Sequence, residues 1–155
     1  MKKMIVGILA VMALVAGLGV YQNLDAEEKR NTSAVIVHLQ NGKAHQFDLE
    51  VARTAIEHEI GLMHRKSLPK DGGMIFLMGQ PPRHTAFWMR NTEIPLDMIF
   101  VGEDAKIANI HHNAQPHDLT PVPSAAPVIA VIEINGGRSA ELGLAPGDRV
   151  ESDLF

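Results

Sequence analysis

Between Ala34 and Glu151 this 155-residue chain is cut into short apolar runs by Gly, Pro, Asn and Asp, and only one stretch carries a full helix-start signal. Ala34 to Leu39 reads as a strand, Asn41-Gly42 as a hairpin turn and Ala44 to Val51 as the partner strand. In that partner His45, Phe47 and Leu49 alternate with Gln46, Asp48 and Glu50, the period-2 pattern of a sheet with one buried face. Met74 to Met78, His84 to Met89, Leu96 to Val101, Lys106 to His111 and Val128 to Ile134 are further strand-length runs. Arg149 to Glu151 follows the turn Pro146-Gly147-Asp148 as a last edge strand. Thr54-Ala55-Ile56-Glu57 is a capping box, in which Thr and Glu satisfy each other's backbone amides. The helix after it carries Ile56, Ile60 and Met63 at helical spacing, which predicts one stripe laid on the sheet and an end near Arg65. Arg138 to Leu142 reads as a helical turn. Many short strands with one substantial helix predict a mainly β fold: a sandwich or jelly-roll-like form, or a partly closed barrel, with one helix packed against it.

The N-terminus has a different character. Lys2 and Lys3 precede Met4 to Val20, a run without charge, as in the n-region and h-region of a targeting segment. Residues 1–23 are therefore expected to be a signal peptide or an N-terminal membrane anchor. Seventeen apolar residues lie at the lower edge of a bilayer span, and both forms fit. Residues 24–33 are expected to be a linker and 34–155 a single β-rich domain, exported to the periplasm or cell envelope. Without Lys2 and Lys3 there remain 12 basic and 18 acidic residues, a net of −6. An acidic domain without a basic run is a poor nucleic-acid binder, so no nucleic-acid partner is expected, and contact with a membrane only through the N-terminal segment. The absence of Cys excludes disulfides, thiol catalysis and thiolate metal sites.

Candidate site residues concentrate between Gly61 and Val101, which holds the single Trp and five of the eight Met. In Phe87-Trp88-Met89-Arg90, strand parity puts Trp88 and Arg90 on one face. Such a pair can form a stacked surface for an anionic or planar ligand, with Asn91, Thr92 and Arg53 as further ligand-binding candidates. Equally, Trp88 can fill the core while Arg90 pairs with a buried acid. Asp97 and Glu133 are the acids in question, since each interrupts an apolar strand on an apolar face. A buried carboxylate needs a partner or a shifted pKa, and Arg90, Arg53 and Asn91 are the nearest candidates by motif. The same two acids are the candidate catalytic residues, as general acid and base.

His111, His112 and His117 gather around the proline-rich stretch His112 to Pro127, a stretch of the length and composition of a lid or binding loop. They are the candidate metal ligands, but no two-His spacing is diagnostic, and neither metal nor other cofactor is expected. His58-Glu59 begins like a zinc-protease helix, yet Leu62 stands where the second His is required. The methionines suit a core as gap fillers better than a copper site, because Met-x-Met clusters are lacking.

From Phe47 to Val150 the chain resembles the domain of unknown function family 192 (DUF192). The resemblance rests on Gly61-Leu62-Met63, Gly73-Met74-Ile75-Phe76, Phe87-Trp88-Met89-Arg90-Asn91-Thr92, Pro95-Leu96-Asp97 with Phe100, Glu133, and Gly143 with Gly147-Asp148. It implies a small, mainly β fold with a helix laid against it and implies no reaction. Arg90 stands where the family also uses Lys, so its charge matters more than its shape. Three functions follow as expectations. The first is non-enzymatic binding of a small or polymeric envelope ligand, carbohydrate-like or anionic. The second is a hydrolase acting on a glycan or ester through Asp97 and Glu133. The third is a structural or protein-interaction module.

Overall fold

The computed structural model describes residues 31–155; the expected leader at 1–23 lies outside them. Among the described residues nine strands form in chain order: β1 (Thr32–His38), β2 (Ala44–Ala52), β3 (Gly72–Leu77), β4 (Ala86–Phe87), β5 (Leu96–Gly102), β6 (Ile107–Ala114), β7 (Val122–Pro123), β8 (Val128–Asn135) and β9 (Arg149–Glu151). Among the same residues two short helices interrupt them, α1 (Ala55–Ile60) after β2 and α2 (Arg138–Leu142) after β8. β1 takes in Thr32 and Ser33, so the strand begins inside the expected linker.

Seven strands build one sheet in the order β6-β5-β8-β3-β2-β1-β9, and β4 pairs with β7 in a small second sheet. β2 and β3 run parallel with α1 in the crossover between them, the connection that parallel neighbours require. The large sheet curls until its ends meet. Lys106 bridges Arg149, the Ile107 amide donates to Asp148 O at 2.9 Å, and the Val150 amide donates to Ala105 O at 2.7 Å. The observed architecture is thus the curled, half-barrel alternative, which leaves few unpaired edges.

Period-2 alternation divides the core in two. One face collects residues from all seven strands, among them Val35, Val37, Phe47, Leu49, Ile75, Ile99, Ile107, Ile132 and Val150. The other face is covered chiefly over β3, β5 and β8 and carries Met74, Phe76, Leu96, Met98, Phe100 and Val131. β5 is buried along its whole length, and β3 and β8 nearly so, which explains their continuous apolar runs.

Three expectations are corrected. The α1 stripe does not pack on the sheet: Ile56 and Ile60 are 70% and 54% exposed, and α1 itself buries no residue. Leu62, beyond the helix end at Gly61, is the side chain that enters the core. The strand expected over His84–Met89 is only Ala86–Phe87, because its partner β7 has two residues and is flanked by Pro121 and includes Pro123. The stretch His112–Pro127 is not a free lid. β6 continues to Ala114, and the remainder is stitched to residues 85–92 through Met89 N to Asp118 O (2.8 Å), His117 N to Thr92 O (3.2 Å) and Ser124 N to Thr85 O (2.9 Å).

Candidate functional site

On the second face the strand register lays down two adjacent rows of side chains. Phe76, Val131 and Phe100 form one row; Met74, Glu133 and Met98 form the next. Glu133 therefore stands between two methionines beside two phenylalanines, and it is 5% exposed. Among the described residues no hydrogen bond or ion pair reaches its carboxyl, and burial pushes its pKa up to about 8. The cause is physical: an ionised carboxylate in this apolar row would lose its hydration without a compensating donor.

Glu133 lines a cleft of about 590 Å³, within the range of small-molecule sites. One wall comes from α1 and the turn after it, with Arg53, His58, Ile60 and Leu62; the opposite wall is the segment from Met78 to Thr92. Two left-handed residues, His64 and Asn91, tie these walls together through the His64 amide and Asn91 O at 2.9 Å. Phe76 and Phe87 meet edge to face at 4.9 Å between centroids, and they supply apolar lining. His58 lies edge-on to Phe76 at 5.7 Å and turns Nε2 toward Ala52 O at 3.1 Å.

The mouth is cationic. Arg53, Arg83 and Arg90 are exposed and line it, and among the described residues none of the three enters a salt bridge. Glu59 is the one exposed carboxylate among the lining residues. Trp88 is 49% exposed, with the Arg90 guanidinium carbon 5.7 Å from its ring centroid. This is a cation–π pair at the surface rather than a core tryptophan with a buried ion pair.

Of the five residues expected to bind a ligand, Trp88, Arg90, Thr92 and Arg53 line this one cleft. Asn91 does not line it; its side-chain amide turns to the Met63 sulfur at 3.8 Å. The expected pairing of Arg90, Arg53 or Asn91 with a buried acid is absent among the described residues. Asp97 lies on the other face of the sheet, opposite Ile134. Its carboxylate accepts from the amides of Asn113 (2.7 Å), Gly137 (2.8 Å) and Ser139 (2.8 Å) and from the Ser139 hydroxyl. It thereby anchors the start of α2 to β5 and β6. Asp97 and Glu133 do not share a site.

His111 and His112, adjacent in β6, diverge. His112 Nδ1 sits 2.9 Å from Ser139 Oγ, whereas His111 lines a hollow of about 220 Å³ together with Met89 and Asp118. Among the described residues no three His, Cys, Asp or Glu side chains converge as a metal site. Arg83, Thr85, His58 and Glu59 are cleft residues that sequence reasoning missed. Two local signals were present: Arg83 as a charge directly after Pro81-Pro82, and His58-Glu59 as the incomplete zinc-protease motif.

The family model DUF192, described as an uncharacterized ACR, matches residues 36–152, and the chain belongs to that family. A crystal structure of a protein of unknown function from Novosphingobium aromaticivorans DSM 12444 is similar at 52% identity and a TM-score of 0.74, over 77% of this chain and 84% of that one. A second, from Sinorhizobium meliloti 1021, described as a candidate transcription regulator, is similar at 39% identity and a TM-score of 0.75, over 78% and 93%. No curated protein matches the chain.

Proposed function

We propose that this protein binds a small anionic, carbohydrate-like ligand in the cleft between α1 and the Met78–Thr92 segment, without transforming it. The observation that carries this reading is the charge pattern: three arginines without ion-pair partners among the described residues and an exposed Trp88 line a concave site that also has Leu62, Phe76 and Phe87 in its walls. Arginine forks suit carboxylate or phosphate oxygens, and an indole face suits a sugar ring. The hydrolase reading lacks its second member, since Asp97 is on the opposite face with both oxygens taken. A nucleic-acid role, which the description of the Sinorhizobium protein would suggest, fits poorly with a net charge of −4. The Lys2-Lys3 leader with its apolar run supports an exported protein, and the cell envelope would supply such a ligand.

Trp88 is the only tryptophan, so its emission reports on the cleft alone. D-glucuronate is expected to change that emission saturably, and D-glucose to do so far more weakly. Arg90→Ala should weaken glucuronate binding about tenfold, the effect of losing one charge-assisted hydrogen bond. Its unfolding free energy should move by no more than about 0.5 kcal/mol, because the side chain is exposed. Equal responses to the acid and the neutral sugar, or no response to either, would remove the basis of the reading.

A further inference from the structure

We infer that the deep end of the cleft recognises an uncharged oxygen of the ligand through the buried Glu133 carboxyl, while the ligand's anionic group stays at the arginine mouth. This rests on the binding role proposed above and adds the chemistry of the ligand's buried end: a hydroxyl or carbonyl, not an ammonium.

The geometry discriminates between these groups. An ammonium carries three donors and needs acceptors for each. At the floor it would meet Glu133 and Phe76, while Met74 and Met98 flank the glutamate in the strand register and offer no strong acceptor oxygen. It would also have to pass Arg53, Arg83 and Arg90. Two charges taken into such a floor cost more desolvation than their attraction returns unless further hydrogen bonds complete the pair. A protonated carboxyl needs little. Its O–H donates to a ligand oxygen and its C=O accepts from a ligand hydroxyl, a reciprocal pair that both groups satisfy with no net charge buried. The cleft is therefore built for a polyhydroxylated acid, oriented with its carboxylate outward and a ring hydroxyl inward.

The titratable groups facing the cleft are His58 and Glu59 from α1, with Arg53 before it and Arg83 and Arg90 from the opposite wall; β3 and β5, which flank Glu133, present Met74 and Met98. All of these groups are retained in E133Q, so a pH dependence that this variant loses belongs to Glu133 and not to them.

Glucuronate affinity, read by Trp88 emission on the full chain, should fall about tenfold from pH 7 to pH 9 in the wild type, in step with the protonated fraction. E133Q keeps a donor and an acceptor without a titration. It should bind within about threefold of wild type at pH 7 and show no fall at pH 9. E133L keeps the apolar floor without the hydrogen bond and should lose about tenfold at pH 7. Carbon-13 titration of the glutamate carboxyls should show one resonance, missing from E133Q, with a midpoint near 8. Loss of binding in E133Q at both pH values, or glucosamine bound in preference to glucuronate, would overturn the inference in favour of an ionised Glu133. So would E133L binding as well as wild type. Failure of the wild type to bind glucuronate at all defeats the underlying function, whereas a Glu133 midpoint below pH 6 defeats this inference by itself.

Discussion

Glu133 and Asp97 illustrate how far a single residue can be read. Parity along β5 and β8 places each acid on an apolar face, and both faces are buried. What parity cannot say is which face has backbone donors nearby. Asp97 meets the start of α2 and collects four hydrogen bonds; Glu133 meets methionines and a cleft. The donors to Asp97 lie 16, 40 and 42 positions away, so no local pattern carries the difference. It has a thermodynamic signature. In the unfolded chain the Glu133 carboxyl returns to its ordinary value of 4.5, while the folded value is about 8. Between those values the folded state holds a proton that the unfolded state has released. The contribution of Glu133 to stability is therefore fully present below about pH 4.5 and is lost as pH rises toward 8, by up to about 1.4 kcal/mol per unit. Urea unfolding of wild type and E133Q at pH 5 and pH 8 should show the variant gaining several kcal/mol relative to wild type at the higher pH. Parallel pH dependence in the two proteins would mean that Glu133 is not buried neutral.

Elements were readable where a local signal decides them and unreadable where a neighbour does. The strands of the large sheet follow from alternation and turn residues, and the capping box forms as spelled: Glu57 N donates to Thr54 Oγ1 at 3.2 Å, and Thr54 N donates to Glu57 Oε2 at 2.7 Å. The Arg53 amide donates to the same carboxylate at 2.8 Å, so one Glu side chain organises the whole entry to α1. The helical spacing of Ile56 and Ile60 misled, because spacing identifies a stripe but not whether anything covers it. Here the chain turns at Gly61, whose φ of +47° suits glycine, and sends Leu62 inward instead. α1 is left as a thin wall of the cleft, held by its cap more than by packing. Thr54→Ala should accordingly lower the unfolding free energy by about 1 kcal/mol, measured by urea denaturation. An unchanged midpoint would show that the cap contributes nothing beyond the crossover itself.

At the scale of the whole molecule, the order β6-β5-β8-β3-β2-β1-β9 was out of reach of the sequence. Its decisive pairings, β5 with β8, β3 with β8 and β1 with β9, join segments far apart in the chain and leave no local trace. Closure of the curl is equally non-local, and it converges on Asp148, which is 2% exposed. The Asp148 carboxylate accepts the Gln40 amide from the β1–β2 turn at 3.0 Å and the Ala145 amide at 2.8 Å, while its carbonyl accepts the Ile107 amide from β6. One residue thus joins the first turn, the last turn and the far edge of the sheet. Asp148→Ala removes two charge-assisted acceptors and leaves two amides unpaired, for an expected loss of about 2–4 kcal/mol. Asp148→Asn, which retains one acceptor oxygen, should fall between the two proteins. None of the cleft-lining residues contacts Asp148 through these bonds, so the native emission of Trp88 and its response to glucuronate should be the same in all three. Stability equal to wild type in Asp148→Ala would place the closure elsewhere, in the Lys106–Arg149 bridge. A shifted native Trp88 spectrum would show that the curl of the sheet and the shape of the cleft are mechanically linked through β3, β5 and β8.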